Sequence, residues 1–189
     1  IFDEIKNVLS EKTVKLIVFT VPDNPTGKIP EEKDFIEILN LARNRGAYVI
    51  LDYAYRGFTY IDTPKYYRFT YKNFDNLITL QTFSKVMSLP GIRVSYIIAN
   101  EKIVKGMELI EQSRNLSPNL YHQKALLDYL KSSSAEEIKK YINKSKQDYE
   151  RLSQKTEQFL RKYLPECRYI KPDGGFYYTV EMIPKDIDD

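Results

Sequence analysis

The sequence has one cysteine, one histidine and no long apolar run, and each shortage argues against a class of protein. The single cysteine, Cys167, cannot form an internal disulfide, so we expect a protein of the reducing cytoplasm. The single histidine, His122, has no cluster of cysteines or carboxylates beside it, so we expect no metal site. No apolar run approaches the roughly 20 residues of a membrane-spanning helix, so we expect no membrane span.

The charge of the chain is also nearly balanced, with 29 Lys and Arg against 26 Asp and Glu and a net charge of +3. Basic and acidic residues are interleaved and build no basic face, so we expect no nucleic-acid partner and a small-molecule ligand instead. Residues 1–15 lack the uninterrupted apolar core of a secretory signal. The chain begins without Met, from which we expect further sequence upstream.

The first 100 residues alternate between short β-branched or aromatic runs and stretches with helical periodicity. This alternation is typical of βαβ units and predicts an α/β fold with a mostly parallel sheet. A helix is predicted from Pro30 and Glu31 to just before Gly46, a residue that commonly ends helices. The predicted strands are 15–20, 48–52, 77–81 and 95–98.

The second half of the chain has a different pattern. Residues 55–76 are rich in Tyr and Phe without a clear period, and we predict a long surface loop lying over a cleft. The predicted helices that follow are 101–113, 120–131 and 135–163. Two strand-like stretches, 167–170 and 176–181, are separated by a turn at PDGG. The parallel pattern ends before the long helix, so we expect a domain boundary within it.

Polar side chains stand where the predicted strands end. Open parallel sheets bind ligands outside the carboxyl ends of their strands, so we expect these side chains to share one crevice. Taken alone, Asn24 is also explained as a turn residue in DNPTG, and Lys85 as a solvated lysine. The candidates are Asn24 after the first strand, Asp52 at the end of the second, and Thr82, Ser84, Lys85 and Arg93 after the third.

Four stretches carry a resemblance to a known family: NPTG at 24–27, DYAYRGF at 52–58, TFSKVMSLPGIRVSY at 82–96 and PDGGFY at 172–177. In this order and spacing they resemble the fold-type I pyridoxal-phosphate enzymes, specifically the class I and II aminotransferases. The resemblance covers essentially the whole chain. It implies a three-layer αβα large domain, here residues 1–145, and the start of a smaller α+β domain at 146–189.

The resemblance also implies a role for each candidate at the cofactor ring. Asp52 takes the position of the carboxylate that keeps the pyridine nitrogen protonated, because an opposite charge favours the charged form. Asn24 and Tyr55 take the positions of donors to the phenolic oxygen, and the Asn24-Pro25 bond is expected to be cis. Lys85 takes the position of the amine that binds the cofactor aldehyde and then moves a proton. The implied catalytic residues are Lys85, Asp52 and Tyr55.

The phosphate of the cofactor needs charge-assisted donors, and the resemblance implies Arg93 with the hydroxyls of Thr82 and Ser84. Ser95 stands where the family commonly has glycine. Members of the family are much longer than this chain, and no residue here takes the position of the arginine that binds the substrate carboxylate. Either the chain is a fragment of a complete enzyme or it is a reduced, non-catalytic protein.

The implied function is transfer of an amino group between an amino acid and a 2-oxo acid. The alternatives on the same fold are a decarboxylase, a carbon–sulfur lyase, a cyclising synthase, and a non-catalytic cofactor-binding remnant or regulator. Residues 114–119 match the loop that reaches toward the partner subunit in the family, which implies a homodimer.

Overall fold

A computed structural model of the chain describes residues 2–11, 13–114 and 119–182. Its main element is a four-stranded sheet in which the strands follow one another in chain order. The first three strands run parallel, and the fourth is antiparallel to the third. This mixed, mostly parallel sheet confirms the predicted α/β class. The strands are β1 (Leu16–Thr20), β2 (Tyr48–Asp52), β3 (Leu77–Thr82) and β4 (Ser95–Ile98).

Six α-helices and a second, two-stranded sheet complete the described part of the chain. The predicted strands of the first sheet and the three long helices agree with the observed ones to within one residue at each end. Helix α1 was not predicted. The helices are α1 (Phe2–Glu11), α2 (Glu32–Asn44), α3 (Phe83–Val86), α4 (Glu101–Arg114), α5 (Leu120–Ser132) and α6 (Ala135–Tyr163), and the short antiparallel strands are β5 (Arg168–Ile170) and β6 (Thr179–Glu181).

Helix α2 connects β1 to β2 and supplies much of the core. Its apolar residues Phe35, Ile38, Leu39 and Ala42 recur at helical spacing, so they share one face, and all four are buried. The helix ends before Gly46, which has a φ of 66° in the left-handed region that favours glycine. The chain enters β2 directly after this turn, which completes a parallel β–α–β unit.

Residues 55–76 form the long irregular connection that was predicted, but part of it is buried rather than at the surface. The segment contains two 3₁₀ turns, Arg56–Phe58 and Lys65–Arg68, and its tyrosines Tyr66 and Tyr67 are 0% and 2% exposed. The Tyr66 ring lies 4.6 Å from the Phe35 ring, and its hydroxyl donates to the Pro30 carbonyl at 2.8 Å. Tyrosine can enter a core in this way because its ring is apolar while its hydroxyl finds a partner.

Helix α6 is continuous through residue 145, where the domain boundary was predicted, so the division into two domains stays a prediction. It begins with a reciprocal capping arrangement between Ser134 and Glu137. The outer strands of the main sheet carry exposed apolar side chains, including Val18, which is 60% exposed. Among the helices of the described residues, none has the length and apolar character needed to cross a membrane.

Candidate active site

The carboxyl ends of three neighbouring strands define the position of the candidate site. Thr20 at the end of β1 pairs with Asp52 at the end of β2, and Asp52 pairs with Leu80 of β3. Because the three strands are parallel, the segments that follow them leave the sheet at the same edge. The three strands are neighbours, which the expectation of a shared site at their carboxyl ends requires.

The NPTG stretch after β1 is a tight turn with its own hydrogen bonds. The Asp23 carboxylate accepts from the backbone N–H of Thr26 at 3.1 Å and also from the Thr26 hydroxyl. The Gly27 N–H donates to the Asp23 carbonyl at 2.8 Å, and the Asn24-Pro25 bond is cis, as expected. The turn leaves the Asn24 side chain exposed, so its amide remains available to a ligand.

The PDGG stretch, distant in sequence, packs directly against this turn. The N–H groups of Asp173 and Gly174 donate to the Gly27 carbonyl at 2.9 and 3.1 Å. The Asp173 carboxylate forms an ion pair with Lys28 at 2.8 Å and accepts from the Ile29 N–H at 3.1 Å. A Cβ atom at Gly27 would lie 2.3 Å from Pro172, so no other residue fits here. The two motifs therefore form one structure.

Tyr55 lies at the centre of the site. Its hydroxyl accepts from the Asn24 side-chain amide at 3.5 Å and forms a hydrogen bond with the Tyr177 hydroxyl at 3.0 Å, in which either can be the donor. The side chain is 5% exposed. Burial, the Tyr177 hydrogen bond and the negative charge of Asp52 raise the pKa of Tyr55 to about 12. Tyr55 is therefore a neutral phenol at physiological pH and can act as a hydrogen-bond donor.

Lys85 and Asp52 bring opposite charges to the same crevice. The Lys85 Nζ lies 5.7 Å from the centre of the Tyr55 ring. Within the described ranges it forms no hydrogen bond or ion pair, so the amine is available. One oxygen of the half-buried Asp52 carboxylate accepts from the Ala54 N–H at 2.9 Å, which fixes its direction, and the other is available to a ligand.

The hydroxyls of Thr82 and Ser84 adjoin each other at 2.9 Å where β3 meets α3. Thr82 is the N-cap of α3 and accepts from the Ser84 N–H at 3.1 Å. The Thr82 hydroxyl also donates to the Val94 carbonyl at 3.3 Å, which places the backbone of Arg93 beside this pair. The exposed Arg93 guanidinium donates to the Pro90 carbonyl at 3.2 Å rather than to either hydroxyl.

Arg93 has an uncommon backbone conformation. Its φ of 51° and ψ of 39° lie in the left-handed region, which non-glycine residues seldom adopt. Such strain persists only where the surrounding structure enforces it, and it is concentrated at functional sites. The short helical turn Pro90–Ile92 enforces it here, because it directs the chain back toward β4.

The structure thus brings Asn24, Tyr55 and Lys85 together, and Thr82 with Ser84. Sequence analysis missed Tyr177 and Phe176, although both lie in the quoted PDGGFY stretch. The Phe176 ring packs 5.4 Å from the Tyr55 ring. No local signal connects Tyr177 to Tyr55 across 122 residues; only the family motif pointed to the segment.

A sequence profile described as aminotransferase class I and II matches residues 1–187. The chain belongs to this aminotransferase family. It is 28% identical over 179 residues to a probable aspartate/prephenate aminotransferase of Aquifex aeolicus, covering 93% of the chain and 44% of that protein. It is 37% identical over 134 residues to a histidinol-phosphate aminotransferase of Caldanaerobacter subterraneus subsp. tengcongensis, covering 68% of the chain and 34% of that protein.

Solved structures confirm the fold of the family. A mutant aspartate aminotransferase of Thermus thermophilus superposes with a TM-score of 0.82 at 19% identity, over 95% of this chain and 48% of that one. A PLP-bound C-S lyase from Staphylococcus hominis superposes with a TM-score of 0.77 at 19% identity, over 95% of this chain and 44% of that one. The chain spans at most about half the length of these relatives.

The cofactor of this aminotransferase family is pyridoxal 5′-phosphate, and the donor set of the site fits it. An amine without an ion pair among the described residues (Lys85) and an amide (Asn24) lie beside the neutral phenol of Tyr55, and the charge of a carboxylate (Asp52) acts on that phenol. These groups match the ring nitrogen, the aldehyde and the phenolic oxygen of the cofactor.

Proposed function

We propose that the full-length protein is a pyridoxal-phosphate-dependent aminotransferase that moves an amino group between an amino acid and a 2-oxo acid. The observation that carries the proposal is the Lys85 amine, held 5.7 Å from the centre of the Tyr55 ring with no ion pair among the described residues. The relatives named above act, by their names, on aspartate, prephenate and histidinol phosphate. Transfer of an amino group is common to them.

The bound cofactor supplies an electron sink for the bonds at the substrate α-carbon. In our proposal Lys85 would bind the cofactor aldehyde, and its amine, once released, would carry a proton from the substrate α-carbon to the cofactor carbon that had carried the aldehyde. An amine without a carboxylate partner suits this task, because its proton is not held by an ion pair. The Tyr55 ring beside it limits the directions that the lysine side chain can take.

Three residues hold and tune the cofactor ring in this proposal. Asp52 faces the pyridine nitrogen and keeps it protonated through its negative charge. Tyr55 and Asn24 donate to the phenolic oxygen, and the raised pKa of Tyr55 keeps its proton in place for donation. The hydrogen bond from the Ala54 backbone N–H holds the Asp52 carboxylate in one orientation.

The phosphate is held in our proposal by Thr82, Ser84 and Arg93. The two hydroxyl oxygens already adjoin, and the Thr82 proton would turn from its present acceptors toward the phosphate. The Arg93 guanidinium must leave the Pro90 carbonyl and turn toward them, and its exposed position permits this. A guanidinium binds two phosphate oxygens at once, which compensates for the hydrogen bond that it gives up.

We also propose that the protein acts as a cytoplasmic homodimer. Helices α4 and α5 expose large apolar side chains, among them Ile110 and Leu120, which supports a further protein surface against them. The sequence-based expectation of a dimer rests on residues 114–119, of which 115–118 lie outside the described residues. The free, half-buried thiol of Cys167 fits a reducing compartment.

Reductive labelling tests the cofactor assignment. Full-length protein is mixed with pyridoxal phosphate and reduced with borohydride, and the labelled peptide is located by mass spectrometry. We expect the label on Lys85, its loss in Lys85→Ala, and its retention in the control Lys102→Ala, which changes a lysine of α4 away from the crevice. Label on any other lysine refutes the assignment.

Product analysis tests the reaction. The full-length protein is supplied with a panel of amino acids and 2-oxo acids, and the products are identified. New amino acids formed from the oxo acids support transfer. Carbon dioxide or a thiol as the product would instead support a decarboxylase or a carbon–sulfur lyase, and the fold shared with a C-S lyase is the reason to include that assay. No product of any kind would support a non-catalytic remnant.

A further inference from the structure

The Tyr177 hydroxyl contacts the site without a role in the proposed function. We propose that Tyr177 is a positioning residue that donates its proton to the Tyr55 hydroxyl when the cofactor is bound, and so leaves the Tyr55 proton for the phenolic oxygen. The inference rests on the proposed function, in which Tyr55 is a donor to that oxygen. It states the direction of one hydrogen bond, from the Tyr177 hydroxyl to the Tyr55 hydroxyl.

The hydrogen bonds of the Tyr55 hydroxyl carry the argument. A phenolic hydroxyl has one proton to donate and two lone pairs that accept. The Asn24 amide nitrogen, at 3.5 Å, can only donate to Tyr55. The Tyr177 hydroxyl, at 3.0 Å, can donate or accept, and within the described part of the chain it is the one group hydrogen-bonded to Tyr55 that can take its proton. The direction of this bond therefore decides where the Tyr55 proton points.

A bound cofactor reverses the preference of the pair. The phenolic oxygen carries negative charge, and a charged acceptor attracts a proton more strongly than a neutral hydroxyl does. The Tyr55 hydroxyl then donates its proton to the cofactor, and the Tyr177 hydroxyl donates to a lone pair of the Tyr55 oxygen. A donor that itself accepts a hydrogen bond is polarised and becomes a better donor, by roughly 10–30% per bond.

The backbone around Tyr177 holds its hydroxyl in position. The Gly175 N–H donates to the Phe58 carbonyl at 2.9 Å, and the Thr179 hydroxyl donates to the Pro25 carbonyl at 3.1 Å. Between these anchors the Phe176 ring packs 4.5 Å from the Phe58 ring. Tyr177 is thus fixed on both sides, to the turn that carries Asn24 and to the segment that follows Tyr55.

The next residue, Tyr178, provides a matched control. Its hydroxyl donates to the Ser153 carbonyl of α6 at 2.8 Å and has no contact with Tyr55. Tyr177→Phe and Tyr178→Phe therefore remove the same atom from adjacent residues of one segment. If loss of a hydroxyl only destabilises this segment, the two variants should behave alike. The proposed hydrogen bond is lost only in Tyr177→Phe.

The groups that face the Tyr55 hydroxyl and ring are Tyr177, Asn24, Asp52 and Lys85. Asp52, Asn24 and Lys85 are unchanged between wild type and Tyr177→Phe, and in the cofactor-bound protein Lys85 is the amine that holds the cofactor. A difference between these proteins in a pH titration of the cofactor therefore reports on the hydrogen bond. The 3.0 Å separation of the two hydroxyls is short enough for such a coupling.

The test is a pH titration of the visible absorbance of cofactor bound to the full-length protein. Donors to the phenolic oxygen stabilise its negative charge and so favour the deprotonated form of the bound cofactor. In Tyr177→Phe the Tyr55 donor is weaker, so we expect the midpoint to rise by roughly 0.3–1 pH unit. Tyr178→Phe should leave it unchanged. Tyr55→Phe should raise it further, and adding Tyr177→Phe to that variant should cause no additional shift.

Two results overturn the inference. An unchanged or lowered midpoint in Tyr177→Phe shows that Tyr177 does not donate to Tyr55, and an additional shift in the double variant shows that it does not act through Tyr55. Borohydride labelling separates these results from a failure of the proposed function. Label on Lys85 with no shift in Tyr177→Phe refutes the inference alone, whereas wild-type protein without label on Lys85 refutes both.

Discussion

Replacement of Gly174 by alanine tests the junction between the two glycine-containing motifs. A Cβ atom at this position would lie 2.5 Å from the Phe58 carbonyl oxygen and 2.6 Å from the Pro22 ring. The backbone of Gly174 has no positive φ, so the conflict is one of space rather than of conformation. Pro22 is fully buried, and the Phe58 carbonyl accepts from the Gly175 N–H at 2.9 Å, so neither neighbour can move without cost.

The expected loss in free energy of unfolding follows from the contacts that the added Cβ atom displaces. Overpacking at a well-packed position costs about 1–3 kcal/mol. Displacement of the segment also strains the Gly175–Phe58 hydrogen bond and the bond from the Tyr60 N–H to the Asp173 carbonyl, each worth about 0.5–1.5 kcal/mol net. We therefore expect Gly174→Ala to lower the free energy of unfolding by about 2–4 kcal/mol.

Urea unfolding of the full-length apoprotein, followed by circular dichroism, measures this change. Gly106→Ala is the control, because Gly106 lies within α4 and a Cβ there meets nothing within 4 Å. An alanine inside an exposed helix should stabilise by about 0.5–1 kcal/mol. If Gly174→Ala unfolds within about 0.5 kcal/mol of wild type, the close approach between the motifs is not rigid and the reasoning fails.

Two further predictions concern carboxylates. Asp52→Ala should retain some bound cofactor but lower turnover by about a hundred-fold or more, since the ring nitrogen loses its counter-charge; unimpaired turnover refutes its role. Lys171 and Arg161 hold the pKa of the Glu157 carboxyl below its ordinary value. Their stabilisation is present above the unfolded pKa of about 4.3 and is lost as pH falls through the lower folded pKa, so Glu157→Gln should unfold at lower urea than wild type at pH 7, and the difference should shrink as the pH is lowered through the folded pKa. A difference that persists in acid contradicts this.

Secondary structure was largely predictable because it follows local patterns. The apolar residues of α2 recur at helical spacing, and β2 is a short apolar run ending in Asp52, so neither required knowledge of distant residues. Helix α1 was missed although its apolar residues Phe2, Ile5 and Leu9 recur at helical spacing. The burial of Tyr66 and Tyr67 was not predicted, because their amphipathic side chains suit a surface as well as a core.

The sequence by itself determined the class of fold and the positions of Asn24, Asp52 and Lys85 near the ends of the predicted strands, because each depends on residues close together along the chain. Only the tertiary structure decided that Tyr177 reaches the Tyr55 hydroxyl, and that Gly27 and Gly174 touch. These contacts join residues more than 100 positions apart. Such contacts depend on the path of the whole chain and on the space between packed segments, neither of which leaves a periodic signal in the sequence.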